Sequence, residues 1–142
     1  MSSKEANEKR DLRETLALGP YGPYKKIVEV FSPSENLIGF RAQKKGGEVV
    51  WIGGKKWEPK EYGPYDDVYG PEISSDGSTW GFWAKKQDEL YVIIDGKEFG
   101  PFEGRPGMTL ERGEEGPHWR IVGAVPAKEA GFYYLRVHTV RF

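Results

Sequence analysis

Aromatic side chains flank a Gly-Pro pair three times along the chain: Tyr21 and Tyr24, Tyr62 and Tyr65, Phe99 and Phe102. These copies belong to a longer pattern. Ser32 and Ser74, Gly39-Phe40 and Gly81-Phe82, and Gly54-Lys55 and Gly96-Lys97 are all separated by the same interval. One offset kept across three landmarks marks an internal repeat, with units at 21–61, 62–98 and a more degenerate 99–142. A period of about 40 residues is typical of a unit that cannot cover its own apolar side and stacks on neighbours to do so.

Each unit reads as about three short strands. In the middle strand Ile38, Phe40 and Ala42 alternate onto one face, as Trp80, Phe82 and Ala84 do one repeat later. Trp119, Ile121 and Gly123 offer the same set in the third unit, with Trp119 in the place of Trp80 and Tyr134-Leu135 in that of Val92-Ile93. This is the period-two pattern of a pleated strand. The last strand differs. Val49 to Ile52 and Tyr91 to Ile94 are apolar on both faces, which signals cover from both sides. Nineteen glycines and ten prolines favour many turns over long helices. The chain is thus expected to be all-β, one repeat domain over 20–142. The preceding 1–19 read as an arm, helical or disordered, in which Leu12 and Leu16 could form a small docking stripe.

Ser74-Ser75-Asp76-Gly77 before the strand carrying Trp80, with a later strand ending Ile94-Asp95-Gly96-Lys97, resembles the "SPDG" repeats of WD40-like, TolB-type β-propellers. Ser32-Pro33-Ser34-Glu35 is the matching turn of the first unit, with Glu35-Asn36 in place of Asp-Gly, and the third unit has no such turn. The resemblance implies three propeller-blade-like antiparallel sheet units and says nothing about activity. Closed propellers have about four to eight blades. Three units would leave sheet faces or edges unfinished, as a partial propeller or an irregular barrel or sandwich. Unfinished faces and edges are association surfaces. In this scheme Gly-Pro marks the corner between units, with its flanking rings packed into the seam. The run from Phe132 to Phe142 reads as an edge strand.

The residues offer little chemistry. Without cysteine, disulfides and thiolate nucleophiles are excluded. His118 and His138 lack any metal-ligand spacing, and no serine sits in a nucleophile elbow. Asp66-Asp67, Asp88-Glu89 and Glu114-Glu115 read as solvated turns; a hydrolase would need a cleft that gathers acids from different units. Gly46-Gly47 and Gly53-Gly54 lack the Lys-Ser/Thr of a phosphate loop. Lysine pairs recur at turns, but a net charge of −1 gives no support for nucleic acid or an anionic membrane. No apolar run approaches the roughly 20 residues of a membrane helix. The polar N-terminal run lacks the apolar stretch of a secretory signal, so a cytoplasmic location is expected.

These features point to a non-enzymatic interaction or accessory module without cofactor or metal, completed by self-association, as a homo-oligomer, or by docking on a larger complex. The alternative is a small ligand- or carbohydrate-binding domain that uses exposed aromatics. Trp57, Tyr69 and Trp83 are its candidates, because they fall off the repeated inward face.

Overall fold

The computed structural model describes residues 17–113 and 116–142, so residues 1–16 of the 1–19 arm, with Leu12 and Leu16, lie outside the described residues. The fold is all-β, with no helix among the described residues. Ten strands follow in order: β1 (Lys26–Ser34), β2 (Leu37–Lys44), β3 (Gly47–Gly53), β4 (Lys60–Tyr65), β5 (Asp67–Ile73), β6 (Trp80–Lys86), β7 (Glu89–Ile94), β8 (Lys97–Gly113), β9 (Gly116–Pro126) and β10 (Tyr133–Arg141). They form an antiparallel sheet β1-β2-β3-β4 and a six-stranded one in the order β10-β9-β8-β7-β6-β5. No barrel closes among the described residues.

The six-stranded sheet folds over on itself through β8, whose first part pairs with β7 and whose second part pairs with β9. Between Glu103 and Gly107 the strand carries two residues more than its partner, and this irregularity separates the two parts. The chain therefore makes three packed sheet units: β1–β4, β5 to the start of β8, and the rest of β8 with β9 and β10. Leu37, Val50 and Ile52 of the first unit pack against Val68, Trp80, Phe82 and Ile93 of the second. Val92 and Ile94, on the opposite face of the second, pack against Trp119 and Ile121 of the third. The middle unit is covered on both sides, which is why β7 needed apolar residues at successive positions. Val92, Ile93 and Ile94 are all buried, as are Val49 to Ile52 in β3.

Two sequence expectations need correction. The aromatic–Gly–Pro–aromatic segments are not corners between units. Tyr62–Tyr65 forms most of β4 and Phe99–Phe102 the start of β8, so each closes one sheet instead of opening the next, and the first two units have four strands, not three. Proline cannot donate to a ladder, so it sits at a bulge. β4 uses one residue more than β3 between Tyr62 and Tyr65, and β8 one more than β7 between Phe99 and Phe102. These Gly–Pro peptide bonds are cis. At Gly63 φ is +110°, and a Cβ there would lie 2.8 Å from the Glu48 carbonyl oxygen, so only glycine fits. The second correction concerns register. Val122 faces Val137 as Trp83 faces Val92, which puts Val137, not Tyr134, in the place of Val92.

The rings themselves do fill the seams. Tyr62 lies 5.1 Å from Trp80 and Tyr65 5.9 Å from Phe82, ring centre to ring centre. Phe102 lies over Gly123 so closely that a Cβ there would meet its Cδ1 at 1.9 Å. Gly123→Ala is therefore expected to cost about 1–3 kcal/mol through overpacking, read as a lower urea midpoint with an unchanged slope; a midpoint equal to that of the parent would contradict this packing.

Candidate functional site

Of the three aromatic candidates, the structure brings two together and sets the third apart. Tyr69 and Trp83 face each other across β5 and β6. Their rings stack with centres 3.8 Å apart and planes at 21°, and the Arg105 guanidinium lies 4.9 Å from both ring centres. The Tyr69 hydroxyl donates to Asp67, a bond that raises the phenol's pKa and lowers that of the carboxyl. Arg105 comes from the irregular stretch of β8, so this cluster ties the third unit to the second. Trp57 is on the other side of the middle sheet. It packs edge-on against Trp80 and donates its indole N–H to the Gly77 carbonyl at 2.9 Å. The rings thus find partners within the chain.

A polar network runs along the same seams. Ser34 and Asn36 of the first unit donate to the Asp76 carbonyl of the second, at 2.9 and 3.0 Å. Within that turn, Ser74, Ser78 and the Ser78 amide all donate to the Asp76 carboxylate, which holds its pKa down to about 2. On the next seam, Trp119 Nε1 donates to Thr79 Oγ1 at 2.7 Å, and that hydroxyl donates to the Asp95 carboxylate at 2.8 Å. Burial pushes the Asp95 carboxyl above the ordinary carboxylate range, against the lowering effect of the bonds from the Trp80 amide and Thr79. The first seam lacks this arrangement. Leu37 stands where Thr79 stands one repeat later, and the buried Trp80 Nε1 has no acceptor among the described residues.

The remaining feature is apolar. Among the described residues, large hydrophobic side chains are exposed only at the two ends of the stack: Leu18, Tyr21, Ile27 and Val30, then Phe132 to Leu135, Val137 and Phe142. The register explains why. Val50, Val92 and Val137 occupy the same position in the three units, opposite Arg41, Trp83 and Val122. Val50 and Val92 are fully buried because another unit lies over them, whereas Val137 is 61% exposed because none does. Tyr133 and Leu135 share its face by strand alternation. At the other end, Ile27 is paired with Ala42 as Val68 is with Ala84, yet Val68 is 2% exposed and Ile27 44%.

Tyr21 and Tyr24 partly fill that end. Tyr21 lies 4.7 Å from Trp51 and Tyr24 5.4 Å from Phe40, ring centre to ring centre. The Tyr24 hydroxyl donates to Glu61 at 2.6 Å, and Lys44 pairs with the same carboxylate at 2.9 Å. Burial first, and Glu61 second, push the Tyr24 phenol up to about 12. Beside them Leu18, Tyr21, Ile38 and Trp51 line an open groove of about 380 Å³. Sequence reasoning missed Ile27, Val30 and Val137. The alternation of Leu135 and Val137 was a signal for β10, but its register was hidden by the β9–β10 hairpin, which is longer than the β6–β7 hairpin.

No cluster of His, Asp and Glu suited to a metal ion occurs among the described residues. Nor is any helix there long and apolar enough to cross a membrane. Comparison with protein-family models, with curated proteins and with solved structures found no match.

The polar seam can be tested at two points. Thr79→Val strands the Trp119 indole N–H and removes a donor from Asp95, for an expected loss of about 1–3 kcal/mol. A double-mutant cycle with Trp119→Phe should show coupling between the two positions; additive losses would refute the bond. The second test lies on the acid limb. Asp76 has a lowered folded pKa, so its contribution is present above the unfolded value of 3.8 and is lost as pH falls to about 2. Asp95 works in the opposite sense: its raised folded pKa adds stability as acidification protonates it. Asp76→Asn should therefore destabilise at neutral pH and converge on the parent near pH 2, as followed by urea unfolding across pH.

Proposed function

We propose that the chain is a non-enzymatic interaction or assembly module whose outer sheet faces are completed by another protein surface. One observation carries this reading. Among the described residues, exposed large apolar side chains are confined to the two ends of the stack, and two of them, Ile27 and Val137, stand where Val68 and where Val50 and Val92 are buried by a neighbouring unit. Burying such surface is worth about 25 cal/mol per Å² removed from water, and contiguous apolar patches on soluble proteins mark association sites. Face-to-face packing of antiparallel units, the first two of which keep one constant interval, supports the likeness to propeller blades. β10 adds a free strand edge beside its exposed face.

A sugar-binding role for Trp57, Tyr69 and Trp83 has less support. Tyr69 and Trp83 turn faces toward each other, and Trp57 spends its donor on Gly77. A carbohydrate platform needs a free ring face and free polar groups beside it.

The test compares the immobilised chain with its Val137→Arg variant. This substitution falls on an exposed site, where changes usually stay within about 0.5 kcal/mol of neutral. Proteins retained from an extract of the native cell, the chain's own copies included, should bind at least about tenfold less to the variant, equivalent to roughly 1.4 kcal/mol. Equal retention by both would overturn the proposal.

A further inference from the structure

The two outer faces match each other. At each internal seam one unit presents the side bearing the Val50 or Val92 position, and the next presents the side bearing Trp80 and Phe82 or Trp119 and Ile121. The third unit ends on the first kind of face, with Val137 in the Val50 and Val92 position. The first unit begins on the second kind, with Ile38 and Phe40 in the places of Trp80 and Phe82 and Ile27 in that of Val68. Each chain therefore carries both halves of a seam it already builds twice within itself.

We propose that a second copy of this chain occupies both faces, in head-to-tail order. The outer face of β9 and β10 in one copy seats on the outer face of β1 to β3 in the other, and the same contact repeats in reverse. This rests on the reading of these faces as docking surfaces and names their partner.

Three observations select the second copy. First, the internal seams are the template, and at the Val50, Val92 and Val137 position and the Val68 and Ile27 position the contact repeats packing that the chain already makes. Second, the ring pair that fills a seam is already in place: Tyr21 and Tyr24 sit on Trp51 and Phe40 as Tyr62 and Tyr65 sit on Trp80 and Phe82, with no sheet behind them. The groove beside Tyr21, lined by Leu18, Ile38 and Trp51, offers room for a side chain from β10. Third, the count closes. Two copies bring two faces of each kind, so none is left over, and six units fall within the four-to-eight range in which radially packed sheets close. Contacts of this unlike-face type form rings when the rotation closes and filaments when it does not. Thr139 and its cross-strand partner Arg120 depart from the template; Arg120, paired with Glu111 at 3.0 Å, stands where Gly39 and Gly81 stand. Thr139 stands where Ile52 and Ile94 stand, which makes the seam between copies more polar at that point than the seams within.

Light scattering on size-exclusion fractions of the full chain tests this, with two variants on opposite faces. Val137→Arg spoils the β10 face and Val30→Arg, at another exposed position, spoils the β1 face. Near-UV circular dichroism identifies any variant that fails to fold; Leu135→Arg then serves in place of Val137→Arg. The parent should have twice the mass of one chain, and each variant alone should have the mass of one. Mixed in equal amounts, the variants should regain the two-chain mass, because each supplies the face the other has lost. With one seam instead of two, the mixed pair should need at least about tenfold more protein than the parent.

A parent that stays a single chain at its highest soluble concentration would overturn the head-to-tail pair, whether residues 1–16 or a different protein covers the faces. If Val137→Arg still loses bound protein in the capture experiment, the interaction reading survives that failure. A Val30→Arg variant that pairs while Val137→Arg does not would mean like faces meet, and also overturns the proposal. So would a mass that climbs past two chains with concentration, or a mixture that stays monomeric.

Discussion

Every sheet in this protein is stable because something apolar lies across its face, and the aromatic pair at the end of the preceding strand is the first layer of that cover. Tyr62 and Tyr65 lie between the first and second units, Phe102 with Phe99 between the second and third, and Tyr21 and Tyr24 on the outside of the first. At the two internal seams the bulges at Gly63–Pro64 and Gly100–Pro101 make this possible. Each lets a strand complete one sheet through its backbone while its rings lie in the next seam. Aromatics are well suited to the task, since each buries a large area and gains from edge-on or offset contact with another ring.

The two seams use the same apolar positions and differ in their polar ones. Between the second and third units, Trp119, Thr79 and Asp95 form a connected network in which each donor has an acceptor. Between the first and second, the equivalent threonine is Leu37 and the equivalent of Asp95 is Gly53, so the Trp80 indole N–H has no acceptor among the described residues. The first seam has instead a network at its rim, where Ser34, Asn36 and Trp57 reach the carbonyls of Asp76 and Gly77. A repeated backbone thus supports two solutions to the same problem. The exchange of Thr for Leu removes the need for a buried carboxylate as well.

Much of this was legible in the chain. Alternation in Trp80, Phe82 and Ala84 placed β6 and its inward face, and the unbroken apolar runs at Val49–Ile52 and Tyr91–Ile94 announced strands covered on both sides. The Gly–Pro segments misled because proline is usually barred from paired strands. Only the bulge, a matter of one residue in register, reconciles the two, and composition does not encode it. The third unit was harder for a related reason. The extra residues around Gly104–Pro106 break the spacing of the units before Trp119, and the longer β9–β10 hairpin breaks it again after, so Val137 was not matched to Val92. Tyr69 and Trp83 lie on neighbouring strands of one hairpin, yet the Arg105 guanidinium close to both rings comes from a different unit. Of the outer faces, the sequence carried the apolar residues but not the fact that none of the described residues covers them.

β8 belongs to two sheets at once, and this has a consequence for how the molecule comes apart. Its backbone amides and carbonyls lock to β7 along one stretch and to β9 along the next. Fraying of the β9–β10 hairpin therefore exposes Val92 and Ile94 on the back of the middle sheet, and melting of the middle sheet removes the edge on which the hairpin is hung. Slow amide exchange should thus spread as one cooperative block from β6 to β9, with β1, which has a single neighbour, exchanging ahead of it.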